Sequence, residues 1–248
     1  MKRLADPAPA RADLTGTRIA VRRSTSGVAV DLRTDALAPR VLSTGAGGAR
    51  VALVGARALL LGGDAVEVDV AVAAGCTLDL VEVAGTVAYD GRGAAASWSV
   101  RVSLGEGARL RWHGEPFVVS AGADVRRSLD VDLAAGAVAC LRETLVLGRS
   151  GERGGRLLNR TRVRLAGRPL LVEDLDLRDA ALRASPAVLG EARVVDAVSL
   201  LGARAEPPGE FGDVLQLAGP GTLARHLGGR AHDSPLPAVW RRWSAPAR

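Results

Sequence analysis

The sequence predicts an all-β protein, mainly strand with two short helices, built either as an elongated β-solenoid (a helical-β arrangement) or as a sandwich. Three observations carry this. Apolar residues recur with period two rather than 3.6, glycines punctuate the apolar runs, and one glycine turn repeats at a nearly constant interval. Alternation of this kind puts one strand face on a core and the other in water.

In chain order, Val66-Glu67-Val68-Asp69-Val70 is the first clear alternating run, before Leu78-Asp79-Leu80-Val81-Glu82-Val83. Trp98-Ser99-Val100-Arg101-Val102, Leu129-Asp130-Val131-Asp132-Leu133 and Thr161-Arg162-Val163-Arg164-Leu165 repeat the pattern. The segments around Gly75, Gly107 and Gly136 each place a glycine between two such runs. This weak repeat predicts hairpin-like units stacked on their neighbours, as in a solenoid, although a meander of short strands gives similar spacing. Gly219–Gly228, with Thr222 as N-cap and Gly228 as stop, predicts a helix. Pro237–Trp243 predicts one or two closing turns. Pro207-Pro208-Gly209 is the clearest break, yet the segment beyond it is too short for a separate domain. The expected organisation is a loose tail over residues 1–13, then a single β domain over 14–248 with a small helical C-terminal appendage.

Composition narrows the function. The 248 residues are 48% hydrophobic and 24% charged, which suits a folded domain rather than a disordered or fibrous chain. Two cysteines, Cys76 and Cys140, cannot build a disulfide framework or a zinc ribbon, and neither sits in a CxxC pair. With no apolar run of the ~20 residues that a membrane helix needs and no signal-peptide core at the start, the expected location is the cytoplasm, with no membrane partner. The net charge is +6, but Lys2 is the only lysine, leaving 32 arginines beside 30 glycines. That bias is typical of GC-rich coding. The arginines are scattered among 27 acids, so an arginine-rich β module binding nucleic acid is the alternative function rather than the leading one.

Enzyme signatures are missing. There is no GxGxxG, no GxxxxGK[ST] and no GxSxG, and His113, His226 and His232 are too far apart for an HxH or HExxH pair. His113 with Glu115 allows a general-base reading; a turn histidine at a strand end is the competing one. Three acids break the alternating pattern. Asp64 comes after Gly62-Gly63, directly beyond an apolar run, Glu143 interrupts Val138–Leu147, and Glu173 ends the run Pro169-Leu170-Leu171-Val172. A carboxylate left unpaired in such a stretch costs several kcal/mol if buried. Arg142 and Arg149 are the expected partners, and a structural ion pair is one reading of these acids.

The run from Glu143 to Glu152, containing Leu147-Gly148-Arg149 and Gly151-Glu152, and then Leu170-Leu171-Val172-Glu173, resembles the urease accessory protein family UreD, also called UreH. Leu61-Gly62-Gly63-Asp64 and Trp112-His113-Gly114-Glu115-Pro116 match further family landmarks in order, and the resemblance spans about Ala49 to Leu227. It implies a largely β, solenoid-like fold and a non-enzymatic role. Such proteins bind UreF, which recruits the GTPase UreG, and the assembly docks on apo-urease to load its nickel centre. It also implies a water-filled passage for transient nickel with no tightly bound cofactor, and makes Asp64, Glu143 and Glu173 the conduit candidates, supported by Arg149, Glu152, Gly62 and Gly63. Separate carboxylates suit such a task, since sites that hold nickel tightly use imidazole or thiolate. The chain departs from the family pattern at Arg57-Ala58-Leu59, at Asp90 and at Gly114. Candidates for the partner surface are Tyr89, Arg92, Trp240 and Trp243, with a helix cap packed on the sheet as the competing reading of the two tryptophans.

Overall fold

The computed structural model describes residues 16–57, 60–206 and 213–245. The expected N-terminal tail and the Pro207-Pro208-Gly209 break lie outside them. The chain opens with two hairpins, β1 (Thr17–Ser24) with β2 (Gly27–Arg33) and β3 (Leu37–Thr44) with β4 (Gly48–Gly55). Then come β5 (Ala65–Val72), β6 (Thr77–Glu82), β7 (Thr86–Ala88), β8 (Ala96–Leu104), β9 (Arg109–His113), β10 (Phe117–Val119), β11 (Asp124–Leu133), β12 (Val138–Leu147) and β13 (Arg156–Leu165). The last third holds β14 (Arg168–Asp176), α1 (Ala180–Arg183), β15 (Val194–Leu201), β16 (Asp213–Gln216), β17 (Gly221–Gly228) and α2 (Leu236–Trp243).

These strands form two sheets, ordered β14-β13-β11-β8-β5-β1-β2 in the first and β16-β17-β15-β12-β9-β6-β4-β3 in the second, with β7 and β10 attached beside β12. From β5 to β13 the chain passes from sheet to sheet, and each pass lays a strand parallel to the one before. The result is a β-solenoid-like coil whose centre is the gap between the sheets. The repeated glycine turns are therefore not hairpins but the crossings between sheets. Gly75, Gly107 and Gly136 all have φ between +62° and +68°, a left-handed conformation that glycine adopts without strain. The crossings stack: the Gly75 N–H donates to the Glu106 carbonyl (2.9 Å), and the Gly107 N–H to that of Ala135 (3.1 Å). Cys76, Ala108 and Ala137, each one residue further on, are fully buried.

The alternation read from the sequence places Val66, Val68, Val70 and Val72 of β5 inward, facing Leu78 and Leu80 of β6 across the core, with Val100, Val102 and Leu104 of β8 beside them. The outward residues form rows of opposite charge. Arg18, Asp69, Arg101, Asp130 and Arg162 lie side by side across five strands of the first sheet, an arrangement in which neighbours attract.

The expected helix also needs correction. Residues 221–228 form β17 instead, paired antiparallel with β15 and β16. Thr222, Leu223 and Ala224 are buried there, and a place in the sheet overrides the local capping signal. The closing helix does form, as α2. Its Leu236, Val239 and Trp243 cover Cys140, Val198, Leu200 and Ala224 on the outer face of the second sheet. Beneath its start lies Asp196, 0% exposed. Its carboxylate accepts from Arg142 (2.9 Å), the Thr144 hydroxyl (2.9 Å) and the Ser234 hydroxyl (2.6 Å), so this buried charge is paired and hydrogen-bonded.

Candidate functional site

In the second sheet the strands break where a polar row crosses them. β6 ends at Glu82 and β7 resumes at Thr86; β9 ends at His113 and β10 resumes at Phe117. β12, the next strand over, runs through without a break. Gly114 and Pro116 occupy the second gap, where proline cannot donate to a ladder and the Gly114 N–H donates to the Arg142 carbonyl (3.1 Å). A side chain at Gly114 would press within 2.7 Å of that carbonyl oxygen.

Along this row Leu53 pairs with Glu82, and beyond the gap Glu143 pairs with Ala197, which pairs with Arg225. Parity sets the direction of each side chain. Glu82 shares the inner face with Leu78 and Leu80, and Glu143 shares it with Leu141 and Leu145. From the facing sheet, Arg127 and Asn159 sit on one row, and Thr161 and Glu173 on the next.

Two cavities lie between the sheets here. The first is lined by Glu82, Thr86, Gly114, Glu115, Arg127 and Glu143 among others, the second by Glu143, Thr161, Glu173, Ser199 and Arg225 among others. They share a wall of Leu129, Leu141, Glu143, Leu145 and Asn159. Each encloses a cavity of about 40 Å³, large enough to admit water. Glu82 and Thr86 also line an outer cleft of about 390 Å³ that includes Arg57 and Tyr89. A seam of polar side chains thus links a surface cleft to two adjoining chambers through the residues they share.

The seam's charges are mutually arranged. Glu82 accepts from the Trp112 indole N–H (3.1 Å) and the Glu115 backbone N–H (3.0 Å). Burial nevertheless pushes its carboxyl up to about 7, against the pull of those donors and of the Arg127 charge. Glu143 Oε1 accepts from Arg127 (3.0 Å), and Glu173 is paired with Arg225 (2.8 Å). The partners expected from the sequence, Arg142 and Arg149, serve elsewhere. Arg142 neighbours Glu143 on the strand, so it points to the opposite face, where it holds Asp196 and contacts the His113 ring (3.1 Å). Burial and the Arg142 charge lower the pKa of that histidine, and its ring meets Trp240 edge-on at 5.3 Å.

Glu143 and Glu173 are brought together as walls of one chamber, whereas Asp64 is not among the described residues lining either. Its carboxylate accepts from the Leu61 N–H (2.9 Å) and closes the turn through Gly62 and Gly63. Gly63 has φ +89°, and a side chain on Gly62 would come within 2.5 Å of the Gly91 carbonyl oxygen. That turn supports the loop carrying Tyr89, whose N–H donates to the Leu60 carbonyl (3.0 Å). Tyr89 is 44% exposed on the outer cleft, and Arg92 is exposed beside it with φ +49°. Arg149 and Glu152 form their own closed loop. Glu152 accepts from the Arg149 guanidinium (2.8 Å) and from the Arg149 and Ala121 N–H groups, and these bonds hold its carboxyl down at about 2. Trp243 is buried, at 8% exposure, in the packing of α2, so it anchors the helix and is not a free surface; Trp240 is half-buried. Sequence reasoning missed Glu82, Arg127, Asn159 and Arg225. For Glu82 the parity of Leu78 and Leu80 already carried the signal.

Among the described residues, no three His, Cys, Asp or Glu side chains come together to hold a metal ion, and no helix is long and apolar enough to cross a membrane. The carboxylates of the seam are spaced singly, which gives hard oxygen donors without a chelating cluster.

Comparison with known proteins adds the family context. The family model for the UreD urease accessory protein matches residues 17–234. The urease accessory protein UreD 1 of Streptomyces griseus is 49% identical over 92% of this chain and 89% of its own. Urease accessory protein UreD 2 of Saccharopolyspora erythraea is 39% identical over 72% of this chain and 68% of its own, and the UreD of Streptomyces coelicolor is 39% identical over 71% and 73%.

Proposed function

The chain belongs to the UreD family of urease accessory proteins, and from that premise we propose that it acts as a non-enzymatic scaffold and nickel conduit in urease maturation. It binds UreF and, through it, the GTPase UreG, and docks on apo-urease in the cytoplasm. Nickel enters by the Tyr89 cleft, passes Glu82 and Glu143, and leaves past Glu173. The observation that carries this reading is the pair of adjoining, water-sized chambers sharing Glu143, with single carboxylates along them and, among the described residues, no chelating group. Isolated carboxylates bind a divalent cation weakly and let it go quickly, as a passage requires and a store does not. Glu173 and Glu143 belong to different sheets, so the second chamber offers oxygen from both walls.

The test is co-expression of the chain with UreF, UreG and urease of the same source, then size exclusion with light scattering and nickel analysis of the urease. A stable complex with wild-type chain is expected. The double variant Glu143→Gln/Glu173→Gln is expected to keep the complex and lower urease nickel severalfold. Full nickel content with the complex intact would exclude the conduit; absence of any complex from a folded, monodisperse chain would exclude the scaffold.

A further inference from the structure

We propose that Arg127 is the gate of the seam: its guanidinium occupies the cation position between Glu143 and Asn159 and has to leave before a divalent ion can pass. The inference rests on the conduit reading and deepens it. Of the five residues in the wall between the chambers, only Glu143 and Asn159 carry side-chain oxygens, the rest being leucines. Arg127 takes both, with one nitrogen 3.0 Å from Glu143 Oε1 and another 3.0 Å from Asn159 Oδ1. It thereby ties the sheet of β11 and β13 to that of β12, across the path. A metal ion and a guanidinium compete for the same oxygens and cannot share them at close range without strong repulsion.

The surroundings favour exchange over a fixed strut. Only two of the three guanidinium nitrogens of Arg127 are held by protein acceptors, the Nε–H having none on the protein. Its other support is the face of Phe117, 4.4 Å from the ring centre, a contact that tolerates sliding better than a directed bond does. Empty volume lies on the entrance side, where the Glu82 carboxyl oxygens offer the guanidinium a second acceptor. A buried ion pair contributes little net stability against its desolvation cost, so replacing one cation by another at Glu143 is close to balanced.

The experiment titrates Ni2+ calorimetrically into the full chain carrying Arg127→Met, which keeps the packing on Phe117 but removes the charge. Binding about tenfold tighter than wild type is expected from unmasking Glu143, and it should vanish in Arg127→Met/Glu143→Gln. Arg127→Lys keeps the charge and should bind as wild type. Phe117→Leu, which loosens the clamp without changing any charge, covers the case in which Arg127→Met fails to fold, and it should tighten binding about threefold. Unchanged Ni2+ affinity in the folded Arg127→Met chain, or in Phe117→Leu where that variant has to stand in, overturns the gate. Nickel content of co-expressed urease separates the two readings. Tighter binding with loading that no seam variant alters sinks the conduit and keeps the competition at Arg127. Unchanged binding together with loading that depends on Glu143 sinks the gate and keeps the conduit.

Discussion

At the scale of single residues, Glu82 has the most direct solution signature. Its carboxyl is raised from the ordinary 4.5 to about 7 chiefly by burial, so the folded state holds a proton that the unfolded chain has already released. Folding stability therefore falls as pH rises from about 4.5 through 7, and the full cost is in place above that window. A shift of this size corresponds to roughly 3 kcal/mol. Glu82→Gln keeps one acceptor for the Trp112 and Glu115 donors and cannot ionise. It should equal or slightly trail wild type near pH 4.5 and exceed it by about 2–3 kcal/mol at pH 8 in urea unfolding; a gap that does not change with pH would contradict this placement. The position of Glu82 was legible in principle, since it continues the inward parity of Leu78 and Leu80. Reading the acids of that run as one solvated face overlooked that Asp79 and Glu82 are three apart and so point to opposite sides.

At the scale of elements, alternation and glycine spacing gave the long strands and the places of the turns, because both depend on local geometry; that these turns cross between sheets instead of closing hairpins did not show. What stayed hidden was whatever depends on pairing between distant strands. The row Glu82, Glu143 and Arg225 draws on widely separated parts of the chain and exists only through sheet register, and β17 reads as a helix until β15 lies beside it. The C-terminal helix shows the same limit: its closing turns and their packing on the sheet were readable, but not which of the two tryptophans is buried. Removing everything after Ser234 should uncover Cys140, whose thiol burial pushes up to about 12. In the full chain Cys140 should resist an aromatic disulfide reagent, and in the truncated chain it should react within minutes. Cys76, sealed in a crossing between the sheets, should stay inert in both. The far-ultraviolet β signal should persist after truncation, since the two sheets pair without the helix. An unreactive Cys140 in a folded truncated chain would mean that something other than α2 covers it.

At the scale of the whole molecule, polarity is not spread evenly along the coil. The inward residues of β5 and β8 are alanine, valine, leucine and tryptophan, whereas β11, β13, β14 and β17 bring Arg127, Asn159, Thr161, Glu173 and Arg225 into the gap. In a structure where each turn of the coil mainly contacts its neighbours, stability is close to a sum of local contributions. The early turns then act as a rigid base and the later ones as a softer extension carrying water and charge. Native-state hydrogen exchange should report this as a gradient along the chain. Amides of β5, β6 and β8 should exchange slowest, through near-global opening, and those of β13 and β14 should exchange at least tenfold faster through partial opening. Uniform protection across all the turns would refute it. The same gradient sets an order of assembly: during synthesis the apolar turns can close first and present a finished sheet edge, on which the charged turns are templated after their partners already exist.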